Sequence, residues 1–216
     1  MKKDLTEVVF ILDKSGSMSN LTSDTIGGFN SLLKKQKEEK GECLVSTVLF
    51  NDKSYVLTDR KPIKEVKEMS EDDYCASGCT ALIDALGDAI KHIKRVHKYI
   101  REEDRPEHTM FIITTDGLEN ASHKYSSDDV KKLVEGQKEA GWEFVFLGAN
   151  IDAVETAKSY GIRADRSTNY INDACGIEKN FGAVAGMMSN MRTCGAINED
   201  WDYEIKEDYK KRKKAI

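Results

Sequence analysis

The sequence predicts a single doubly wound α/β domain: a mostly parallel sheet with one antiparallel edge strand and helices on both faces. Three observations carry this. Strand-sized apolar runs alternate with segments of helical periodicity, the pattern of parallel strands joined by crossover helices. The alternation breaks once, where two strand patterns flank the short turn Asn51-Asp52-Lys53 and imply a hairpin. The chain's 216 residues, 39% of them apolar, suffice for one sizeable core.

Glu7–Leu12 is a continuous, β-branched-rich run that suits a strand covered on both faces. Residues 21–40 place Leu21, Ile26, Phe29, Leu32 and Leu33 on one helical face, with Gly41 at the C-cap. Cys43–Phe50 and Ser54–Leu57 are the hairpin strands, and a short helix is expected near 63–68. From Thr80 to about residue 101, Leu82, Leu86, Ile90, Ile93 and Ile100 recur at helical spacing. His108–Thr115 is a buried strand. A helix capped by Ser126 or Ser127 ends at Gly141, and Trp142–Leu147 is the next strand. A short helix over 152–160, an edge strand over 163–168 and a helix over 173–191 complete the body. The domain is therefore expected over 1–195, with 196–216 as a partly basic appendage onto which Trp201, Tyr203, Ile205 and Tyr209 offer packing groups.

Composition narrows the function. The net charge is −5, but residues 206–216 carry six basic against two acidic side chains, which leaves −9 on the remainder. An acidic body argues against a nucleic-acid partner. No run approaches the roughly 18 apolar residues of a membrane span, so no membrane partner is expected. Asp4, Glu7 and Asp13 interrupt the opening residues too soon for a secretory signal. Five cysteines, an odd count, suit reduced thiols. The expected location is cytoplasmic.

In open α/β sheets, ligands bind beyond the carboxyl ends of the strands where strand order reverses. Asp13 follows the first strand and Asp116 the fourth, and the helix leading into the fourth strand begins at the same edge with Thr80. Ser15 and Ser17 alternate with Asp13 in a loop that Gly16 lets bend. Asp13, Ser15, Ser17, Thr80 and Asp116 thus form an all-oxygen set suited to Mg²⁺ or Mn²⁺ rather than zinc. Two acids barely neutralise such an ion, and nearby helix N-termini add positive potential, so an anionic ligand is favoured.

These residues resemble a known family. Asp13-Lys14-Ser15-Gly16-Ser17 is similar to the DxSxS element of von Willebrand factor type A (vWA) domains. Gly78-Cys79-Thr80-Ala81-Leu82 resembles the family's threonine element, and Thr115-Asp116-Gly117 its last acidic element. The resemblance runs over roughly 4–191 and is strongest to small free-standing bacterial vWA proteins. It implies a Rossmann-like vWA fold and a metal-ion-dependent adhesion site (MIDAS) with those five residues as ligands. It also implies a protein partner that brings an Asp or Glu to the metal, and no chemistry of its own.

Glu119 and Asn120 either serve the site's surroundings or cap nearby backbone. Gly27-Gly28 suggests close backbone approach near the site. Cys75 and Cys79 supply two sulfurs without a partnering histidine, too few for zinc. No phosphate loop, GxGxxG or GxSxG is present. A Mg²⁺-dependent phosphoryl hydrolase would want a second acid two residues after Asp13, where Ser15 stands. A metal-stabilised scaffold subunit of an ATPase remodelling complex is the other alternative.

Overall fold

The computed structural model describes residues 1–213. Its sheet consists of β1 (Lys2–Asp13), β2 (Glu42–Phe50), β3 (Ser54–Pro62), β4 (Pro106–Thr115), β5 (Glu143–Gly148) and β6 (Ser167–Asn169). The helices are α1 (Thr22–Glu38), α2 (Leu82–Tyr99), α3 (Ser127–Lys138), α4 (Ala153–Ser159), α5 (Ala174–Cys194) and α6 (Tyr203–Lys213). Strand order is β3-β2-β1-β4-β5-β6, and every pairing is parallel except β2 with β3. The expected fold class is therefore the observed one.

The apolar run of β1 reads as it does because the strand is central and covered twice. Val8, Phe10 and Leu12 face a core built with α1 and α5, whereas Val9 and Ile11 face α2, α3 and α4. Gly28 marks the contact of α1 with α5, since a Cβ there would lie 2.3 Å from the Phe181 ring. Gly27 has open space around it. Gly28 thus serves a helix–ring contact rather than backbone approach at the site, and nothing packs against Gly27.

Four elements differ from expectation. The edge strand expected over 163–168 is a 3₁₀ turn over Ala164–Arg166 followed by the short β6. β3 runs five residues further than Leu57, and its register with β2 is irregular around Val45–Val48. The helix expected near 63–68 is a single 3₁₀ turn over Ile63–Glu65. α2 begins at Leu82, so Thr80 lies on the preceding loop rather than in the helix. In the appendage, Ile197, Trp201 and Ile205 are buried in the α1/α5 core, and Trp201 Nε1 donates to the Asp165 carbonyl at 2.9 Å. Tyr203 is exposed and Tyr209 half-buried. Arg212 pairs with Asp173, the N-cap of α5, and with Asp208. The last three residues of the appendage lie outside the described residues.

A candidate metal centre at the carboxyl edge of the sheet

β1 and β4 are adjacent and parallel, and the chain leaves β1 through α1 on one face but enters β4 from α2 on the other. Strand order reverses between them, and the loops that follow both strands open there. Asp13 ends β1 and Asp116 follows β4, each 2% exposed. Asp13 Oδ1 accepts from the Ser15 amide at 2.7 Å, and Oδ2 from Thr115 Oγ1 at 2.6 Å. Asp116 Oδ1 accepts from Ser17 Oγ at 2.5 Å, and Oδ2 from Asn172 Nδ2 at 2.9 Å. The hydroxyls of Ser15 and Ser17 are 3.1 Å apart. Ser15 is buried and Ser17 exposed, so the cluster reaches solvent on the Ser17 side.

Thr80 arrives by a separate route. Gly16 N donates to Gly78 O at 3.0 Å, and Ser77 N to Lys14 O at 2.9 Å, which seats the loop before Thr80 against the Asp13 loop. Gly78 has φ +77°, where side chains are strained, and a Cβ there would lie 2.3 Å from an Asp52 carboxylate oxygen. The same carboxylate accepts from the Cys79 amide at 2.7 Å. Thr80 itself is bracketed by Asn120, whose side chain accepts from the Thr80 amide at 2.9 Å and whose amide donates to the Thr80 carbonyl at 3.1 Å. The Thr80 side chain makes no hydrogen bond to the other four groups among the described residues. Glu119 acts elsewhere, accepting from the Ile83 amide at 2.8 Å and so capping α2. The carboxylate also offsets the positive end of that helix, which consequently adds less to the site than expected.

The electrostatics are unbalanced. The partners of the two carboxylates are a backbone amide, two hydroxyls and a carboxamide. Among the described residues, no cationic side chain pairs with either. Burial pushes the Asp13 carboxyl above its ordinary value; hydrogen bonds from Thr115 and Ser15 oppose the shift, and the neighbouring Asp116 adds to it. Two buried acids with neutral oxygen neighbours chemically fit a hard divalent cation. Among the described residues, no group of three or more His, Cys, Asp or Glu is gathered for a metal, and Cys75 and Cys79 are free, exposed thiols.

Four contributors escape sequence reasoning. Tyr74 donates to the Asp13 carbonyl, and Tyr170 donates to the Thr115 carbonyl at 3.4 Å. Burial holds both phenols well above their ordinary range. Thr115 and Asn172 complete the set. Thr115 had a signal, because parallel pairing of Leu12 with Thr114 sets the next residue beside Asp13. Asn172 had none, lying in the irregular segment between β6 and α5.

No family model and no curated protein sequence matches the chain. Solved structures do match. The vWF domain of the type V pili tip protein Mfa5 from Porphyromonas gingivalis superposes with TM-score 0.62 at 9% identity, over 90% of this chain and 98% of that one. Proximal thread matrix protein 1 from the mussel byssus, with zinc in its MIDAS motif, gives TM-score 0.58 at 16% identity over 85% of this chain and 46% of its own. Manganese-loaded TRAP protein of Plasmodium vivax gives 0.57 at 17% identity over 84% and 74%. The chain spans 46% of the mussel protein and less than two thirds of several other matching structures. Identities this low show the fold alone, and that fold is the Rossmann-like vWA fold.

Proposed function

We propose that this chain is a metal-dependent protein-binding module whose Mg²⁺ or Mn²⁺ is held by Asp13, Ser15, Ser17, Thr80 and Asp116. The observation that carries the reading is the pair of buried carboxylates, 2% exposed each, surrounded by oxygens and partnered by no cation among the described residues. A bound dication would supply the missing positive charge and an electrophilic position for a carboxylate from a partner protein. The metal-bearing MIDAS of the mussel protein and the manganese-loaded state of TRAP support divalent binding on this fold.

The module binds rather than catalyses. A hydrolase needs a proton donor beside the aspartate. Tyr74, the phenol closest along the hydrogen-bond network, is held above its ordinary range by burial and engaged with the Asp13 carbonyl. Ser15 occupies the place of a second acid. The cytoplasmic assignment draws support from Cys75, Cys79, Cys175 and Cys194, which are free and exposed. No helix among the described residues is long and apolar enough to cross a membrane. We assign residues 1–195 to the module and 196–216 to an appendage, which docks on it through Ile197, Trp201 and Ile205.

Calorimetry with Mg²⁺ and with Mn²⁺ tests the site: one ion per chain, lost in Asp13→Ala and weakened in Thr80→Ala. Tight binding by Asp13→Ala would sink the assignment. Partner capture with wild type and Thr80→Ala, each with Mg²⁺ or EDTA, tests the bridge. Equal retention in all four arms would instead favour the metal-independent scaffold.

A further inference from the structure

The rim of the carboxyl edge carries apolar groups that the fold itself does not use. Of the six large apolar side chains left exposed among the described residues, Leu118 (67%), Tyr55 (46%) and Val56 (63%) lie at this edge. Met1 and Tyr99 lie at the opposite edge, where β1 begins and the antiparallel α2 ends. Leu118 stands two residues beyond Asp116, on the loop that follows β4. Tyr55, the second residue of β3, lies opposite Leu49 and so sits beside the carboxyl end of β2. Lys14, next to Asp13, places its Nζ 4.1 Å from the centroid of the Tyr55 ring, and its amide donates to Phe50 O at 2.7 Å. The rim therefore offers an aliphatic foothold on one side of the candidate centre. On the other side stands an aromatic one with a cation resting on it.

We infer that the partner presents an extended segment in which the metal-directed Asp or Glu has an apolar residue beside it and a second, preferably aromatic, about three positions away. This rests on the proposed metal-bridged function and adds the chemistry around the acid. The spacing follows from the sheet. β3 and β4 are separated by β2 and β1, which at ~4.8 Å per strand sets their ends at this edge about 14 Å apart. Asp13 and Asp116 lie between β1 and β4, close to Leu118 and roughly 10 Å from the β3 side. An extended segment advances ~3.3 Å per residue, so the acid's neighbour reaches Leu118 and the third residue onward reaches Tyr55. Charge agrees, because Lys14 rewards an acidic or aromatic group at that end.

Selection of random linear peptides displayed against the immobilised full chain in Mg²⁺, eluted with EDTA, tests the inference. Enriched peptides should carry the acid with apolar residues at those spacings. Their synthetic forms should bind Leu118→Ser and Tyr55→Ser about fivefold to tenfold more weakly than wild type, with Mn²⁺ affinity measured alongside to show the centre intact. Peptides that need the acid and the metal but show no apolar preference, or that bind both variants like wild type, overturn this inference and leave the metal-bridged function standing. Peptides retained in EDTA or lacking an acid overturn both. Absence of any enrichment overturns the extended-segment partner.

Discussion

β1 carries two buried carboxylates, one at mid-strand and one at its carboxyl end, and the two are treated oppositely. Glu7, fully buried at mid-strand, pairs with Arg60 of β3 and lies 2.6 Å from Nε2 of His97 on α2. A carboxylate only accepts hydrogen bonds, so Nε2 carries the proton there. The His97 ring also meets Trp142 edge-on, with centroids 5.2 Å apart. Six residues on, Asp13 has a hydroxyl and an amide but, among the described residues, no cation. One acid is compensated by a cationic partner, and the other has none among the described residues. Burial of a charge is costly unless it is paired. The Glu7 cluster therefore reads as structure, whereas the Asp13 carboxylate costs stability, as the proposed binding role would require.

Breaking each cluster should separate these roles. The largest effect is expected at the compensated acid. Glu7→Ala leaves Arg60 and His97 without their partner and should cost about 3–5 kcal/mol in urea unfolding, with metal affinity unchanged in the folded protein. A loss below ~1 kcal/mol would mean that water already satisfies the cluster. At the other acid, Asp13→Ala should weaken Mn²⁺ binding about a hundredfold or more, beyond what loss of a supporting group costs. Asn120→Ala should weaken it about tenfold by releasing the Thr80 backbone. Asn120→Asp should recover part of that loss, since its oxygen still accepts from the Thr80 amide.

The smallest effect is the sharpest in sign. Because burial raises the Asp13 carboxyl above its ordinary value of 3.8, the metal-free folded state holds that proton more tightly than the unfolded chain. Its contribution to stability is present below 3.8 and is lost as pH rises through the raised folded value. Asp13→Asn escapes that loss and should unfold at a higher urea midpoint near neutral pH without metal. Divalent ion should then stabilise wild type increasingly as pH rises, and the variant not at all. Urea melts across pH, with and without Mg²⁺, read both signs.

Much of this was legible before any coordinates. Alternation of runs and helices predicts the sheet, and acids at two strand ends predict an edge cluster, because backbone topology alone decides where strand ends meet. Side-chain partnerships from distant segments were not legible. Glu7 shares the face of Val9 and Ile11, so a carboxylate in that row called for a partner. Arg60 was hidden because β3 continues past its apolar residues as a charged stretch. Thr80 was misplaced into α2 because helical periodicity cannot show that Glu119 caps the helix from outside and starts it later.

The two free margins of the sheet have a consequence for behaviour in concentrated solution. A strand from another molecule can extend a sheet only along a flat, regular ladder. β6 presents three residues, Ser167–Asn169. β3 is longer, but its register shifts along Val45–Val48 and its second half carries Asp59, Arg60 and Lys61. Neither margin offers the flat, regular ladder that templates filament growth, so the protein can keep apolar side chains exposed on its carboxyl rim without seeding cross-β aggregation from its own sheet.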